Sequence, residues 1–210
     1  MARTFTDARR WMTEGTDRFL DAVSGLSHAF AAPTLLPGWT RKHLVAHVAA
    51  NAEAVGRLVR WAATGVETPM YRSPEERSDG IAQGATMTAH ALESWLATSA
   101  EILAAAMDRL PEDAWRHEVV TAQGRTVPAA ETPWMRAREV CVHVVDLDCG
   151  IGFAELPEDF NQALCDDIRA KRNLGDLPAG VAAAPLPELT AWLAGRPYAI
   201  PGVPPLAPWL

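Results

Sequence analysis

Three ionisable side chains, Glu139, His143 and Asp146, interrupt an otherwise apolar segment, "REVCVHVVDLDCG", that runs from Arg138 to Gly150. A helix turns about 100° per residue, which puts His143 about 40° from Glu139 and Asp146 about 20° to the other side. The three share one narrow stripe, while Val140, Cys141, Val144, Val145 and Leu147 occupy much of the rest. Spacings of three and four are those that bring helical side chains together. Such a stripe is an exposed polar face, an internal hydrogen-bonded triad or part of a metal site, because buried charge persists only when paired or ligated. A Glu-x-x-x-His pair supplies two ligands, whereas a catalytic metal takes three protein ligands and keeps a position open.

A third ligand has to come from another element. The remaining histidines are His28, His43, His47, His90 and His117. His47 lies in the apolar stretch "HLVAHVAANAE", and in a bundle a second long helix can set it opposite Glu139 and His143. His43 lies one turn earlier, near the helix start, and forms a competing i,i+4 pair with His47. Spacing alone leaves a closed four-ligand site open. Two imidazoles and one carboxylate suit zinc, and equally nickel, cobalt or iron.

The elements that must hold these residues read as helices. A helical period over about residues 5–30 falls on Phe5, Ala8, Trp11, Met12, Phe19, Val23 and Leu26. "APTLLPGWT" is a loop, and Thr40 is the N-cap of an Ala-rich helix over about 41–63. The next 23 residues, "TGVETPMYRSPEERSDGIAQGAT", read as a long loop of the kind that often carries function. A third helix follows over about 86–109, then a turn at "LPEDAW" and an extended stretch, "EVVTAQGRTV", that is either a hairpin or a plain connection. The fourth helix starts near Thr132 and Pro133 and runs to about 149, where Gly150 and Gly152 end it. A last helix spans about 157–171. The proline-rich remainder has room for one short helix in "PELTAWLAGR". The expected fold is mostly α: a four-helix bundle with a long cross-over excursion and a short C-terminal extension or small subdomain. The bundle is placed over residues 1–155, with the C-terminal helix and a reduced proline-rich region over 156–210.

Composition narrows the function classes. A chain of 210 residues suits one domain, or a main domain with an appendage. With 19 basic and 26 acidic residues the formal net charge is -7, which, with no basic patch, argues against a nucleic-acid partner. No apolar run approaches the roughly 18 residues that span a bilayer. The start, "MARTFTDARRW", lacks the apolar core of a signal peptide. Cys141, Cys149 and Cys165 fit neither a disulfide framework nor a zinc knuckle. They read as buried thiols in a reducing cytoplasm, with none set up as a nucleophile. A bundle of this size can stand as a monomer.

Three stretches resemble the mycothiol-dependent maleylpyruvate isomerases, within the DinB-like metal-binding superfamily. They are "LLPGWTRKHLVAHVAANAEAVGRLVRWAATGVETPMYRSPEER", "EDAWRHEVVTAQGRTVPAAETPWMRAREVCVHVVDL" and, more loosely, "WLAGR" with the proline-rich tail. The first half of the first stretch is shared widely and specifies fold and metal. "TGVETPMYRSPEER" and "TAQGRTVPAAETPWMRAREV" are narrower and point at the isomerase. The resemblance implies metal ligands at His47, Glu139 and His143, with Asp146 as an accompanying acidic group for orientation or acid–base work. Arg196 of the C-terminal "GR" is implied in activity, with Arg125 of "QGRT" as a second cation for the substrate carboxylates. Tyr71 and Arg72 are placed in the wall of the cofactor pocket. Family members carry an α/β portion after the bundle, and this chain is expected to be shortened there, around residues 172–190.

The activity so implied is conversion of 3-maleylpyruvate to 3-fumarylpyruvate, in gentisate-type aromatic breakdown, with a divalent metal (zinc first) and mycothiol as cofactors. Rotation about a carbon–carbon double bond is blocked until that bond becomes single. Reversible addition of a thiolate achieves this, and the cofactor rather than a cysteine brings the sulfur. The partners are then a small dicarboxylate and a low-molecular-weight thiol. Two alternatives use the same scaffold: another mycothiol-dependent S-transferase, which would release the thiol conjugate, or a non-catalytic, anti-sigma-like metal-binding module.

Overall fold

A 3.6-residue period of burial runs along four long helices in the computed structural model, which describes residues 3–209. They are α1 (Phe5–Ser24), α2 (Arg41–Thr64), α4 (Ala89–Asp108) and α5 (Thr132–Asp146), with a shorter α3 (Pro74–Ala85) between the second and third. Helix α1 packs on α5 and α4, and α2 packs on α4 and α5. Successive helices α1 and α2 therefore stand at opposite corners, as do α4 and α5. The core between them holds Phe19, Leu44, Leu58, Leu92, Leu96, Trp134 and Val140, all essentially inaccessible to water. Burial of each such side chain contributes about 2 kcal/mol. This unit spans Phe5–Cys149.

The first helix stops at Ser24, short of the expected residue 30. Ser27 takes a positive φ of 51°, and a single 3-10 turn at Ala29–Ala31 follows. At the other end of the bundle α5 stops at Asp146, not near 149, and Asp148 has φ 50°. The freed carbonyls at this end find donors. Leu35 N–H donates to Asp146 O (3.0 Å), and Arg41 Nε donates to Leu147 O (2.7 Å). The start of α2 is thereby tied to the turn of α5 that carries His143 and Asp146.

The segment after α2, expected to be a loop, contains α3. Ser73 is its N-cap and accepts from Glu76 N–H, Pro74 opens the first turn, and Glu75 and Glu76 follow. Each of these favours a helix start. Gly80 and Gly84 suggested a break, but Gly84 serves packing. A Cβ there would stand 2.6 Å from the Ala46 Cβ of α2 and 2.9 Å from the Trp95 ring. Main-chain ties close the excursion at both ends: Arg57 Nη1 donates to Met70 O (2.9 Å) and Lys42 Nζ to Met87 O (2.6 Å).

The extended stretch is a hairpin, β1 (Glu118–Val120) and β2 (Thr126–Pro128), antiparallel with Val119 opposite Val127. His117 Nδ1 hydrogen-bonds Ala62 O of α2 at 2.7 Å and fixes where the hairpin begins.

The other unit takes in the chain from Gly150 onward, with the few residues before Phe5. It contains α6 (Glu158–Lys171), α7 (Ala179–Ala182) and α8 (Leu186–Ala194), with α6 packed on α8. The proline-rich tail is pinned by main-chain acceptors. Trp192 Nε1 donates to Pro204 O (2.9 Å), and Trp209 N–H to Ala194 O (3.0 Å).

The two glycines of α3 make opposite demands. Gly80 has nothing within 4 Å of an added Cβ, so Gly80→Ala should stabilise by up to about 1 kcal/mol through helix propensity. Gly84→Ala should destabilise by roughly 1–3 kcal/mol, because overpacking outweighs that gain. Urea midpoints of the two variants should move in opposite directions.

Candidate metal centre

Helix α2 is buried along most of its inner length, and His47 is 4% exposed among Leu44, Val48 and Asn51. Helix α5 faces it with Glu139 and His143. His47 Nε2 lies 2.9 Å from Glu139 Oε2, and His143 Nε2 lies 3.4 Å from the same oxygen. One ligand atom from each residue falls within 4.8 Å of the others. Bonds of about 2.1 Å in tetrahedral array hold ligand atoms about 3.4 Å apart. The donor set and its spacing therefore fit a shared divalent ion.

Asp146 completes the arrangement from inside. It is fully buried, and its Oδ2 accepts from His143 Nδ1 at 2.8 Å. That bond puts the proton on Nδ1 and leaves the Nε2 lone pair for a metal. His43 does not join the cluster. Its Nδ1 accepts from Thr40 N–H (3.3 Å) and meets Thr40 Oγ1 (2.8 Å) in a capping box that opens α2.

The electrostatics follow from burial set against contact. Burial opposes ionisation of Glu139, but hydrogen bonds from His143 and His47 outweigh it and hold the carboxyl well below the usual carboxylate range. Burial lowers the His47 pKa, and its contact with Glu139 offsets this only in part. His143 goes the other way. Burial opposes its protonation, yet the hydrogen bonds to Asp146 and Glu139 raise its pKa above the ordinary value. An ionised carboxylate and a neutral His47 are thus ready to bind metal, while on His143 a metal competes with a proton.

The other residues expected in the site are more dispersed. Tyr71 is drawn in through Arg77, which hydrogen-bonds it, and burial raises the phenol above its usual pKa. Arg72 is exposed, pairs with Glu76 at 3.1 Å and lines a cleft between the excursion and the hairpin. Arg125 is exposed in the hairpin turn. Arg196 belongs to the C-terminal unit, is 4% exposed, and donates to the main-chain oxygens of Ala194 (2.6 Å) and Trp209.

Of three further neighbours of the cluster, Trp39 and Arg77 escaped the sequence reading, while Arg136 reads from the sequence as a structural salt-bridge residue at the start of the fourth helix. Trp39 packs edge-on against His47, ring centres 5.5 Å apart. Arg77 Nη2 stands 3.4 Å from His47 Nδ1. Arg136, 1% exposed, donates through Nη1 to Val48 O (2.7 Å) and Asn51 Oδ1 (2.9 Å), and burial pushes its pKa down to about 10. The signal for Arg77 lay in Ser73-Pro74-Glu75-Glu76, which starts a helix and puts Arg77, Ile81 and Gly84 on one face.

Metal binding should depend on these contacts in a graded way. His47→Ala should lose the stoichiometric ion altogether. Asp146→Asn should keep the ligands but weaken affinity about 10- to 100-fold. Because the His143 pKa is raised, acidification should begin to strip the wild type of metal already at a pH higher than the roughly 6.5 at which a free imidazole titrates. In Asp146→Asn that onset should move to lower pH. Metal content after dialysis against a chelator across a pH series reads all three.

Residues 12–148 match the family described as "Mycothiol maleylpyruvate isomerase N-terminal domain". Two solved structures resemble the whole chain, each with a TM-score of 0.88 and 37% identity over 99% of this chain and 98% of the other. One is the crystal structure of a mycothiol-dependent maleylpyruvate isomerase, and the second is of a histidine-to-alanine mutant of such an isomerase. Among curated proteins none matches. With the family signature laid over the bundle that carries His47, Glu139 and His143, and a likeness in fold along nearly its full length, this chain belongs to the mycothiol maleylpyruvate isomerase family.

Proposed function

We propose that this protein isomerises 3-maleylpyruvate to 3-fumarylpyruvate in a mycothiol-dependent reaction. The observation that carries the reading is the His47, Glu139 and His143 cluster in a chain 37% identical to an isomerase of that description. Zinc is our assignment for the ion, since two imidazoles and one carboxylate with an open position match catalytic zinc sites. Bound there, such an ion supplies positive charge that stabilises a thiolate at neutral pH.

The chain's own groups make that possible. Glu139 stays ionised because both imidazoles hydrogen-bond it, and it is the most exposed of the three, at 17% of its side chain. It therefore marks the side from which a solute arrives. Asp146 holds His143 in the ligating tautomer. The cysteines are not needed as nucleophiles. Cys141 is buried with its pKa raised, and burial pushes Cys165 up to about 11. We place the thiol cofactor in the cleft of about 370 Å³ between the excursion and the hairpin, where Tyr71 and Arg72 line the wall. The three cysteines form no disulfide, which suits a reducing cytoplasm. We take the working form to be a monomer.

Metal-loaded protein with mycothiol should change the ultraviolet absorbance of maleylpyruvate, and with no thiol it should not. Glutathione should support a slower reaction. Cys149→Ser should leave the thiol-dependent rate unchanged. No absorbance change with verified metal and mycothiol would sink the isomerase reading.

A further inference from the structure

We infer that Arg77 is the carboxylate anchor of this site, holding one end of a small dianionic substrate beside the metal ligands. The identity of that dianion rests on the isomerase reading; the cation's place in the site does not.

The arginines near the centre differ in what each already holds. Glu76 is shared by two of them: Arg72 at 3.1 Å and Arg57 at 3.6 Å. Arg57 also donates to Met70 O. Arg136 is 1% exposed, its Nη1 is held on α2 by Val48 and Asn51, and the cavity whose wall it joins is lined by α1 and α4, not by the excursion. Arg77 has no ion pair with any described carboxylate. Its contacts are the long approach to His47 Nδ1 and the hydrogen bond with Tyr71. A half-buried guanidinium with donors to spare is a bidentate receptor for a carboxylate.

Its position supports the same role. Arg77 forms part of the wall of two cavities, the cleft of about 370 Å³ and a smaller one of about 150 Å³ bounded by Glu53, Arg57 and Trp95. Tyr71 is the other polar residue in both walls, and its raised pKa keeps the phenol a donor. His47, Glu139 and His143 line neither cavity, and Arg77, in the wall of both, reaches to within 3.4 Å of His47 Nδ1.

The fold fixes Arg77 by a specific device. Arg77, Ile81 and Gly84 follow at i, i+4 and i+7, so they share the face of α3 that packs on α2. Ile81 is 5% exposed. The missing Cβ at Gly84 lets α3 close on Ala46, and Ala46 is the residue before His47. The same close approach that seats the helix thus brings Arg77 over the ligand. A dipositive metal next to a guanidinium is a poor neighbour unless an anion sits between them, and a dicarboxylate provides that anion.

Maleate, a small cis-dicarboxylate, serves as the probe for calorimetry on metal-loaded protein without thiol. Wild type should bind it. Arg77→Gln should weaken binding at least about 10-fold, the effect of losing a charge-assisted pair. Arg77→Lys should fall between, since a point charge replaces a planar fork. Arg60→Gln, an exposed charge on α2, should bind as wild type. Metal content and thermal midpoint, measured for each variant, separate lost anchoring from lost metal or fold. In the assay, Arg77→Gln should raise KM for maleylpyruvate by a larger factor than KM for mycothiol. Unchanged maleate affinity in metal-replete Arg77→Gln, or no maleate binding by wild type, overturns the assignment. Maleate binding that depends on Arg77 in a protein that does not isomerise would instead overturn the isomerase reading and leave the anchor standing.

Discussion

One carboxylate, Glu139, stays ionised inside an apolar bundle, and much of the site is arranged around that condition. An unpaired buried charge would neutralise itself by taking a proton. Here two imidazoles from two helices hydrogen-bond it and hold its pKa far down. This requires α2 and α5 to lie side by side at fixed height, and the two helices do pack on each other. It also requires His143 to present Nε2 rather than Nδ1, which Asp146 provides from the dry side. The last turn of α5 is held in turn by Arg41 and Leu35, which bond to its carbonyls.

The same arrangement explains why each ligand differs electrically. His47 has only Glu139 to favour its protonated form, so burial dominates and it stays neutral. His143 has two carboxylates, so the proton is favoured there. A metal held by these residues would take the place of a proton on His143 and of the hydrogen bond between His47 and Glu139. That is preorganisation built on rigid helices rather than on loops.

How much of this was legible in the sequence varies with the kind of signal. The Glu139, His143 and Asp146 stripe was plain, because helical geometry alone puts those side chains together. A second helix placed opposite offers both His43 and His47, and it is the family resemblance that singles out His47. The choice between His43 and His47 was not decided by spacing, since both lie on one face of α2; it was decided by Thr40, whose capping box occupies His43. Helix α3 was missed for a definite reason. Gly80 and Gly84 read as breakers, and glycine is indeed the poorest common helix former after proline. At Gly84, however, the missing Cβ permits contact with Ala46, and one sequence cannot distinguish a glycine selected for flexibility from one selected for space. Missing the helix meant missing Arg77.

The bundle and the excursion therefore do different work. Ligands and their supports come from α2 and α5, whose spacing is dictated by a buried core and leaves little freedom to vary. The cleft residues Tyr71, Arg72 and Arg77 come from the excursion, which is held to the bundle by a few main-chain bonds and one close glycine contact. Such a segment can change its side chains without disturbing the metal ligands. The two narrowest sequence signatures, in the excursion and in the hairpin stretch that leads into α5, meet across the larger cleft. On the proposed reading, substrate choice would belong to the walls of that cleft, and activation of the thiol to the helices that carry His47, Glu139 and His143.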